Sequence, residues 1–241
     1  MINNSTKDKL ENETPHFGNT VLGAVPSVVY NEDCVEGLKR FSDNHFDLAV
    51  VDPPYGIDIA EKSDRLGKAK TKWASGGSFK HYEYSDWDKN TPTDEYWFEL
   101  FRVSKNQIVW GWNFYDYNFP KTKCFLVWDK VGRDDRADGE LAWTSFNKPA
   151  KVFRYSRADA YINDCDVKIH PTQKPVKLYD WIFANYTSKG DFILDTHLGS
   201  GSSRISANKA GLNFTGFETN KTYFEAQEKR FKDFVSQLRM F

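Results

Sequence analysis

Residues 46–55 read FDLAVVDPPY, a continuous apolar run that ends at two prolines. The run from Phe46 to Val51 contains a single aspartate, which is typical of a strand buried on both faces of a parallel sheet. A helix-like apolar repeat at residues 34–41 comes before it, after a β-prone run at residues 28–30. Strand, helix and strand at this spacing predict an α/β domain, in which ligands bind outside the carboxyl ends of the strands.

The tetrapeptide Asp52–Tyr55 directly follows this strand and supplies acceptor groups and an aromatic ring. Two consecutive prolines fix φ and remove two backbone donors, so their carbonyls can point into the crevice. Asp52 offers a carboxylate, Pro53 a carbonyl and Tyr55 an aromatic face. This set suits a planar ring that carries an amino group, although the same residues could equally form a rigid turn with a surface aspartate.

A second motif lies at residues 193–202, which read ILDTHLGSGS, a strand, a glycine-containing turn and the start of a helix. Such a turn lets backbone amides approach a nucleotide-type cofactor closely. It lacks GxGxxG and a Walker lysine, which disfavours nicotinamide cofactors and ATP. Glu218 follows Asp195 by 23 residues, at the end of the next predicted strand, where a carboxylate can accept the hydroxyls of a ribose. The glycine turn alone is equally compatible with tight packing.

Hydrophobic periodicity predicts the remaining elements. Strands are expected at residues 28–30, 46–51, 107–112, 124–128, 192–195 and 214–218, and helices at residues 34–41, 93–103, 176–186, 202–210 and 223–238. Residues 1–20 lack periodicity and are predicted to form a flexible tail. Residues 21–241 are predicted to form a single domain.

The composition excludes several classes of protein. The chain has 241 residues, of which 39% are hydrophobic and 28% charged, and it contains no apolar run long enough to span a membrane. Residues 1–19 are polar and resemble neither a signal peptide nor a transit peptide. The three cysteines are odd in number and far apart, so neither a disulfide framework nor a zinc site is predicted, and a reducing cytoplasm is expected. The net charge of -1 argues against a protein whose whole surface coats nucleic acid, but it allows a local basic cleft.

A third motif, HPTQKP at residues 170–175, leads into the helix predicted at residues 176–186. With DPPY, HPTQKP and the glycine turn in this order, the chain resembles the β class of DNA amino-methyltransferases over about residues 30–230. The resemblance implies a Rossmann-like methyltransferase fold, with a largely parallel seven-stranded sheet, helices on both faces, and a catalytic half that precedes the cofactor half. It also implies S-adenosylmethionine as cofactor, double-stranded DNA as partner, and a target base rotated out of the duplex.

The family pattern assigns a role to each motif. Asp52, Pro53, Pro54 and Tyr55 would hold the target base and its amine. The cofactor residues that the resemblance implies are Asp33, Thr172, Gln173, Lys174, Asp195, Thr196, His197, Leu198, Gly199, Ser200, Gly201 and Glu218. Among them, Asp33 would receive the adenine amino group and Glu218 the ribose, while residues 172–174 and 195–201 would surround the methionine part. The family commonly has DPFxGSG where this chain has DTHLGSG, which leaves the geometry near the methyl donor open.

Two segments, at about residues 56–92 and 129–166, interrupt the α/β rhythm and are predicted to be DNA-recognition insertions. The first carries five bases against two acids within residues 61–72, and the second repeats a base at every third position. The candidates for DNA phosphate contacts are Lys62, Arg65, Lys68, Lys70, Lys72, Lys148, Lys151 and Arg154. A solvated basic surface would explain the same charge pattern.

The resemblance favours adenine N6 as the acceptor, because DPPY goes mostly with adenine and the N4-cytosine enzymes usually begin this motif with serine. N4-cytosine DNA methylation, RNA adenine methylation and a non-catalytic DNA-binding regulator are the alternatives. No metal is predicted, since no ligand cluster is evident. The expected setting is the cytoplasm of a bacterium or of a phage-infected cell. A homodimer and a cognate restriction endonuclease are left open as partners.

Overall fold

The computed structural model describes residues 25–57, 88–131, 137–156, 159 and 168–238. The predicted tail at residues 1–20 and the five candidate bases of residues 62–72 lie outside these ranges. The described residues contain eight strands and five α-helices. The strands are Ser27–Tyr30 (β1), Leu48–Val51 (β2), Gln107–Trp110 (β3), Leu126–Asp129 (β4), Gly139–Thr144 (β5), Lys151–Arg154 (β6), Phe192–Asp195 (β7) and Asn213–Phe217 (β8). The helices are Cys34–Leu38 (α1), Asp94–Val103 (α2), Val176–Tyr186 (α3), Ser202–Ala210 (α4) and Lys221–Leu238 (α5).

The eight strands form one sheet in the order β1-β8-β7-β2-β3-β5-β4-β6. β5 pairs antiparallel with both of its neighbours, whereas every other pairing in the described sheet is parallel. The seven parallel strands therefore run in one direction and end at the same edge of the sheet, where β5 begins. In α/β folds this edge holds the ligand crevice.

β2 illustrates why the sheet is covered on both faces. All four of its residues are buried, as expected for a parallel strand between two layers of helices. Leu48 and Val50 point into a core that contains residues of α3 and α4. Ala49 and Val51 alternate with them and point into the opposite core, which contains residues of α1 and α2. Burial of both faces fixes the position of the strand end that carries Asp52.

The helices agree closely with the sequence pattern. α3 and α4 have the predicted bounds, and the predicted cap of α2 is confirmed because the Thr93 hydroxyl accepts a hydrogen bond from the Tyr96 amide at 3.3 Å. α1 is shorter than predicted and ends at Leu38. None of the helices in the described ranges has the length and apolar character needed to cross a bilayer.

The fold is the predicted Rossmann-like α/β architecture, but the described sheet has eight strands rather than seven. The hydrophobic pattern predicted six of these strands, and the other two lie in the segment 129–166, which was expected to be an irregular insertion. It contributes the antiparallel strand β5 and the edge strand β6, which pairs parallel with β4. β6 begins and ends with the exposed bases Lys151 and Arg154, and charged residues are typical of edge strands because they discourage pairing with another chain.

Candidate active site

The ends of β1, β2, β7 and β8 surround one cleft at the shared edge of the sheet, here called the strand-end cleft. It is lined by residues of all three motifs and by Asp33. The predicted site residues in its lining are Asp33, Asp52, Pro53, Pro54, Tyr55, Thr172, Gln173, Lys174, Thr196, His197, Leu198, Gly199, Ser200 and Glu218. Asp195 and Gly201 are not in the lining and support the turn from behind.

Asp52 lies directly after β2 and has a partner on each carboxylate oxygen. The Tyr55 hydroxyl donates to Oδ1 at 2.6 Å, and the Lys174 ammonium donates to Oδ2 at 2.5 Å. Burial raises the pKa of Asp52, and the positive charge of Lys174 opposes that rise. The Asp52 side chain therefore lines the cleft as a hydrogen-bond acceptor beside a buried cation.

The backbone of the tetrapeptide is held by two side chains from elsewhere in the fold. The Tyr115 hydroxyl donates to the Pro53 carbonyl at 2.7 Å. The Asp88 carboxylate accepts from the amides of Tyr55 and Gly56, at 2.6 and 3.1 Å. The carbonyl of Pro53 has a second lone pair, so it can accept one further hydrogen bond. These contacts fix the acceptors relative to the sheet.

The Tyr55 ring is packed against another aromatic ring and against the backbone of Gly111. The Phe114 ring lies 4.9 Å from it with an interplanar angle of 10°, and Phe114 is 45% exposed. Gly111 adopts φ of +68° against Tyr55, where a Cβ atom would lie 2.2 Å from Cε1 of the tyrosine. Only glycine satisfies both the backbone conformation and this close approach.

The glycine turn after β7 is organised by two acidic side chains. Asp195 is buried and accepts from the Ser203 hydroxyl at 2.5 Å and from the His197 amide at 3.1 Å. Burial raises the pKa of Asp195 to about 7, because those two donors only partly replace its lost hydration. Glu218, at the end of β8, accepts from the Gly199 amide at 2.9 Å and faces the strand-end cleft. Burial raises the pKa of Glu218 as well.

His197 stands where the related family commonly has phenylalanine, and it forms part of a polar chain. Its Nδ1 atom lies 2.9 Å from the Thr196 hydroxyl, which in turn lies 2.7 Å from the Tyr96 hydroxyl on α2. Burial lowers the pKa of His197 to about 4, so the ring is neutral at pH 7. The departure from the family motif is thus accommodated by hydrogen bonds to groups that a phenylalanine could not use.

Asp33 and residues of the HPTQKP segment line the same cleft as the glycine turn. Asp33 caps α1 by accepting from the amides of Val35 and Glu36, and it also lines the cleft. Thr172 and Gln173 line the cleft too. Lys174, which the resemblance assigned to the methionine end of the cofactor, instead directs its ammonium to Asp52. The part of the cleft around residues 52–55 is called the base half, after the role that the resemblance assigns to these residues.

Sequence reasoning missed two charged side chains, Glu140 and Lys130, that extend the ion pair of Asp52 and Lys174 in the base half. Glu140, at the start of β5, lies 3.0 Å from the Lys174 ammonium through Oε2. Lys130, just after β4, forms a short ion pair with the other oxygen of Glu140. Burial alone would raise the pKa of Glu140, but the positive charges of these two lysines lower it to about 2. No local motif marks Glu140 or Lys130, because both lie in a segment whose strands were not predicted.

The described basic candidates for DNA contact do not lie together. Lys148 donates to the carbonyl of Asn185 near the end of α3, at the edge opposite the cleft, and it packs over the rings of Phe146 and Tyr186. Lys151 begins β6 at that same distant edge. Arg154 ends β6 at the edge of the cleft, where it is largely exposed and pairs with Asp129. Of these three, only Arg154 lies at the edge of the sheet that holds the strand-end cleft.

The comparisons with known proteins support the resemblance. Residues 122–229 match a family model described as DNA methylase. The chain is 23% identical to the Type II methyltransferase M2.MboI of Moraxella bovis, over 88% of this chain and 89% of that protein. It is also 23% identical to the Type II methyltransferase M2.DpnII of Streptococcus pneumoniae, over 84% of this chain and 88% of that protein.

The chain is similar to the DNA methylase family model and to two Type II methyltransferases.

Solved structures of DNA methyltransferases share its fold. The complex of M1.HpyAVI with S-adenosylmethionine matches with a TM-score of 0.53 at 22% identity, over 84% of this chain and 98% of that chain. A putative DNA modification methylase from Thermus thermophilus, also complexed with S-adenosylmethionine, has a TM-score of 0.51 at 17% identity, over 87% and 94% of the two chains. The PvuII DNA methyltransferase, described as cytosine-N4-specific, has a TM-score of 0.52 at 15% identity, over 88% and 92%. At these identities the comparison shows a shared fold.

The described part of the chain contains no group of three or more histidine, cysteine or acidic side chains arranged to hold a metal ion.

Proposed function

We propose that this protein transfers a methyl group from S-adenosylmethionine to the exocyclic N6 of an adenine rotated out of duplex DNA. The observation that carries the proposal is a single cleft shared by the amine-accepting residues 52–55 and by the glycine turn with Glu218. The family match and the two Type II relatives support DNA as the substrate. Their class also supports a role in restriction and modification.

The cofactor side of the cleft suits S-adenosylmethionine, with which two of the structural relatives were crystallised. Glu218 and Asp33 place carboxylate acceptors in the lining, as the ribose hydroxyls and the adenine amino group require. The turn at residues 199–201 brings backbone close to the cleft through two glycines with positive φ. When bound, this cofactor supplies an activated methyl group on a sulfonium.

The base side of the cleft supplies what an aromatic amine lacks as a nucleophile. The lone pair of such an amine is delocalised into its ring. In our proposal the Asp52 carboxylate and the Pro53 carbonyl accept the two amine hydrogens, which favours a pyramidal nitrogen with its lone pair free. The Asp52 charge then stabilises the positive charge that develops on this nitrogen in a water-poor pocket. Alignment of the two reactants supplies about 7 kcal/mol or more in ideal systems.

The target base must leave the duplex to reach Asp52. Stacking on the Tyr55 ring offsets part of that cost, by about 1–3 kcal/mol per base. Phe114 already stacks on this ring, so the incoming base either displaces Phe114 or extends the stack. Arg154 and the five bases of residues 62–72 are the proposed phosphate contacts, and the segment 56–92 is the proposed site of sequence recognition.

The test is methylation of duplex DNA by the purified protein, followed by mass analysis of the nucleosides. We expect N6-methyladenine, formed only when S-adenosylmethionine is present, and no product with Asp52→Ala. N4-methylcytosine alone would refute the adenine assignment while leaving DNA methylation intact. Methylation of RNA in preference to DNA would refute the substrate. Absence of any methyl product, with the cofactor bound, would refute the activity.

A further inference from the structure

Four buried or half-buried charges of alternating sign form a chain that reaches the base half of the cleft. The chain comprises Lys130, Glu140, Lys174 and Asp52, and each neighbour is joined to the next by an ion pair. Lys174 is 4% exposed at its side chain and lies 2.5 Å from Asp52 and 3.0 Å from Glu140. The Lys174 ammonium is therefore shared between the Asp52 and Glu140 carboxylates rather than committed to one of them.

This arrangement matters because a buried carboxylate without a counter-ion takes up a proton. A protonated Asp52 would carry no charge to stabilise the positive nitrogen that methyl transfer creates. The Lys174 ammonium opposes protonation of Asp52, and Lys174 is itself kept charged by both carboxylates. Glu140 offers the ammonium a second anionic partner when the amine of the base occupies Oδ2 of Asp52. Lys130 in turn balances Glu140, so the chain as a whole is neutral.

We propose that Lys174 is a positioning residue for the methyl-transfer step, which keeps Asp52 ionised in the free site and moves onto Glu140 when the target amine binds. The proposal rests on the proposed function and specifies its substrate further. The site takes an uncharged aromatic amine that becomes cationic as the new bond to carbon forms. As that bond forms, the bond from the same carbon to the sulfonium sulfur breaks and leaves its electron pair on sulfur. The surplus proton of the nitrogen then passes to solvent, and the Lys174 ammonium returns to Asp52.

Other titratable groups face Asp52 from the elements around it. They are Tyr55, Tyr96, Tyr115, Tyr179, Glu140 and Asp195. Burial raises the pKa of each of these four tyrosines well above 10, so they stay uncharged up to pH 9. Asp195 is bonded to Ser203 and to the His197 amide rather than to Lys174, so no variant removes one of its hydrogen-bond partners.

The test compares pH profiles of single-turnover methylation on duplex DNA for wild type, Lys174→Met, Lys174→Arg and Glu140→Gln. Lys174→Met removes the counter-ion of Asp52, so we expect the acid limb of its pH–rate profile to move to higher pH by about one unit or more. Its rate should be lower than that of wild type by about tenfold or more at pH values below both acid limbs, and should recover toward the wild-type rate at pH 9. Lys174→Arg should return the limb to its wild-type position. Glu140→Gln should move the limb the other way, because Asp52 becomes the only carboxylate that faces Lys174.

The KM for S-adenosylmethionine and the melting temperature are measured on the same proteins. We expect the KM of Lys174→Met to stay within about threefold of wild type. A KM raised by about tenfold or more, with an unmoved acid limb, would make Lys174 a cofactor contact and overturn the proposal. An equal loss of rate at every pH would reduce Lys174 to a structural role. If Lys174→Met does not fold, Glu140→Gln tests the proposal. A shift of its acid limb to lower pH supports the proposal, and a shift to higher pH overturns it. If the wild type itself transfers no methyl group, the proposed function fails first, which is a distinct result.

Discussion

Asp195 makes the stability of this fold depend on pH in a direction opposite to that of most carboxylates. Burial raises its pKa from an ordinary 3.8 to about 7. Between these two values the folded protein binds a proton that the unfolded chain releases. Its contribution to the free energy of unfolding is fully present below about pH 4 and is lost as the pH rises through about 7.

The substitution Asp195→Asn removes this titration while keeping an acceptor for Ser203 or for the His197 amide. Between the two pKa values, each pH unit changes the free energy of unfolding by about 1.36 kcal/mol. The wild type therefore loses about 3 kcal/mol of stability over the two units from pH 5 to pH 7, and this loss is complete by pH 8. We expect the difference in the free energy of unfolding, variant minus wild type, to be about 3 kcal/mol more positive at pH 8 than at pH 5, because only the wild type loses stability in this range. Urea unfolding without cofactor, followed by tryptophan fluorescence at the two pH values, measures this difference.

A matched control is Asp233→Asn on the exposed face of α5, where Asp233 pairs with Lys229 across one helical turn. A solvent-exposed pair of this kind contributes little to stability, so its variant should show little change with pH. The reasoning fails if Asp195→Asn differs from wild type by the same amount, within about 0.5 kcal/mol, at both pH values. That result would mean that Asp195 is ionised in the folded protein and that its two donors fully replace its hydration.

Three further predictions concern the base half of the cleft and its approach. Asp52→Ala should lower turnover by about 10²-fold or more and leave the affinity for S-adenosylmethionine within a few-fold of wild type. Near-normal turnover of this variant in a methyl-incorporation assay would contradict the assignment. Neutralising the three lysines of residues 68–72 should weaken DNA binding equally for all sequences and flatten its dependence on salt, whereas an unchanged slope would rule out phosphate contacts. Gly111→Ala should reduce stability and activity together, because its Cβ would overlap the Tyr55 ring. Gly190→Ala, at a similar positive φ with open space around it, should cost only about 1–3 kcal/mol of backbone strain, and equal effects of the two variants would show that the overlap is absorbed.

The sequence predicts the parallel part of the sheet well because its strands are continuous apolar runs followed by turn residues. β2 and β7 are the clearest cases, since each has an aspartate at its carboxyl end and a buried interior. β6 was missed because it begins and ends with a base, which indicates solvent exposure rather than a strand. Its pairing with β4 is set by the tertiary fold, which overrides the weak local preference of a charged edge strand.

The two halves of the candidate site were predictable to different degrees. The cofactor turn and Glu218 lie close together in the sequence and follow a known pattern of strand and turn, so they could be placed in advance. The partners of Asp52 come from distant segments, and no periodicity connects Glu140 or Lys174 to it. Lys174 was assigned to the cofactor because its motif precedes the cofactor half, but its long side chain reaches the opposite end of the cleft. A motif fixes the backbone position of such a residue and leaves the direction of its head group undetermined.

Asp88 holds the two ends of the segment between residues 57 and 88 close together, and the length of such a segment can vary at little cost. Its carboxylate binds the amides of Tyr55 and Gly56, so residue 88 returns to the point that the chain leaves at residue 57. Thirty residues, 58–87, lie between these anchors. Doubling the length of such a closed loop costs only about 0.6 kcal/mol of closure entropy. A longer or shorter chain between residues 57 and 88 would therefore leave the residues of the strand-end cleft in place.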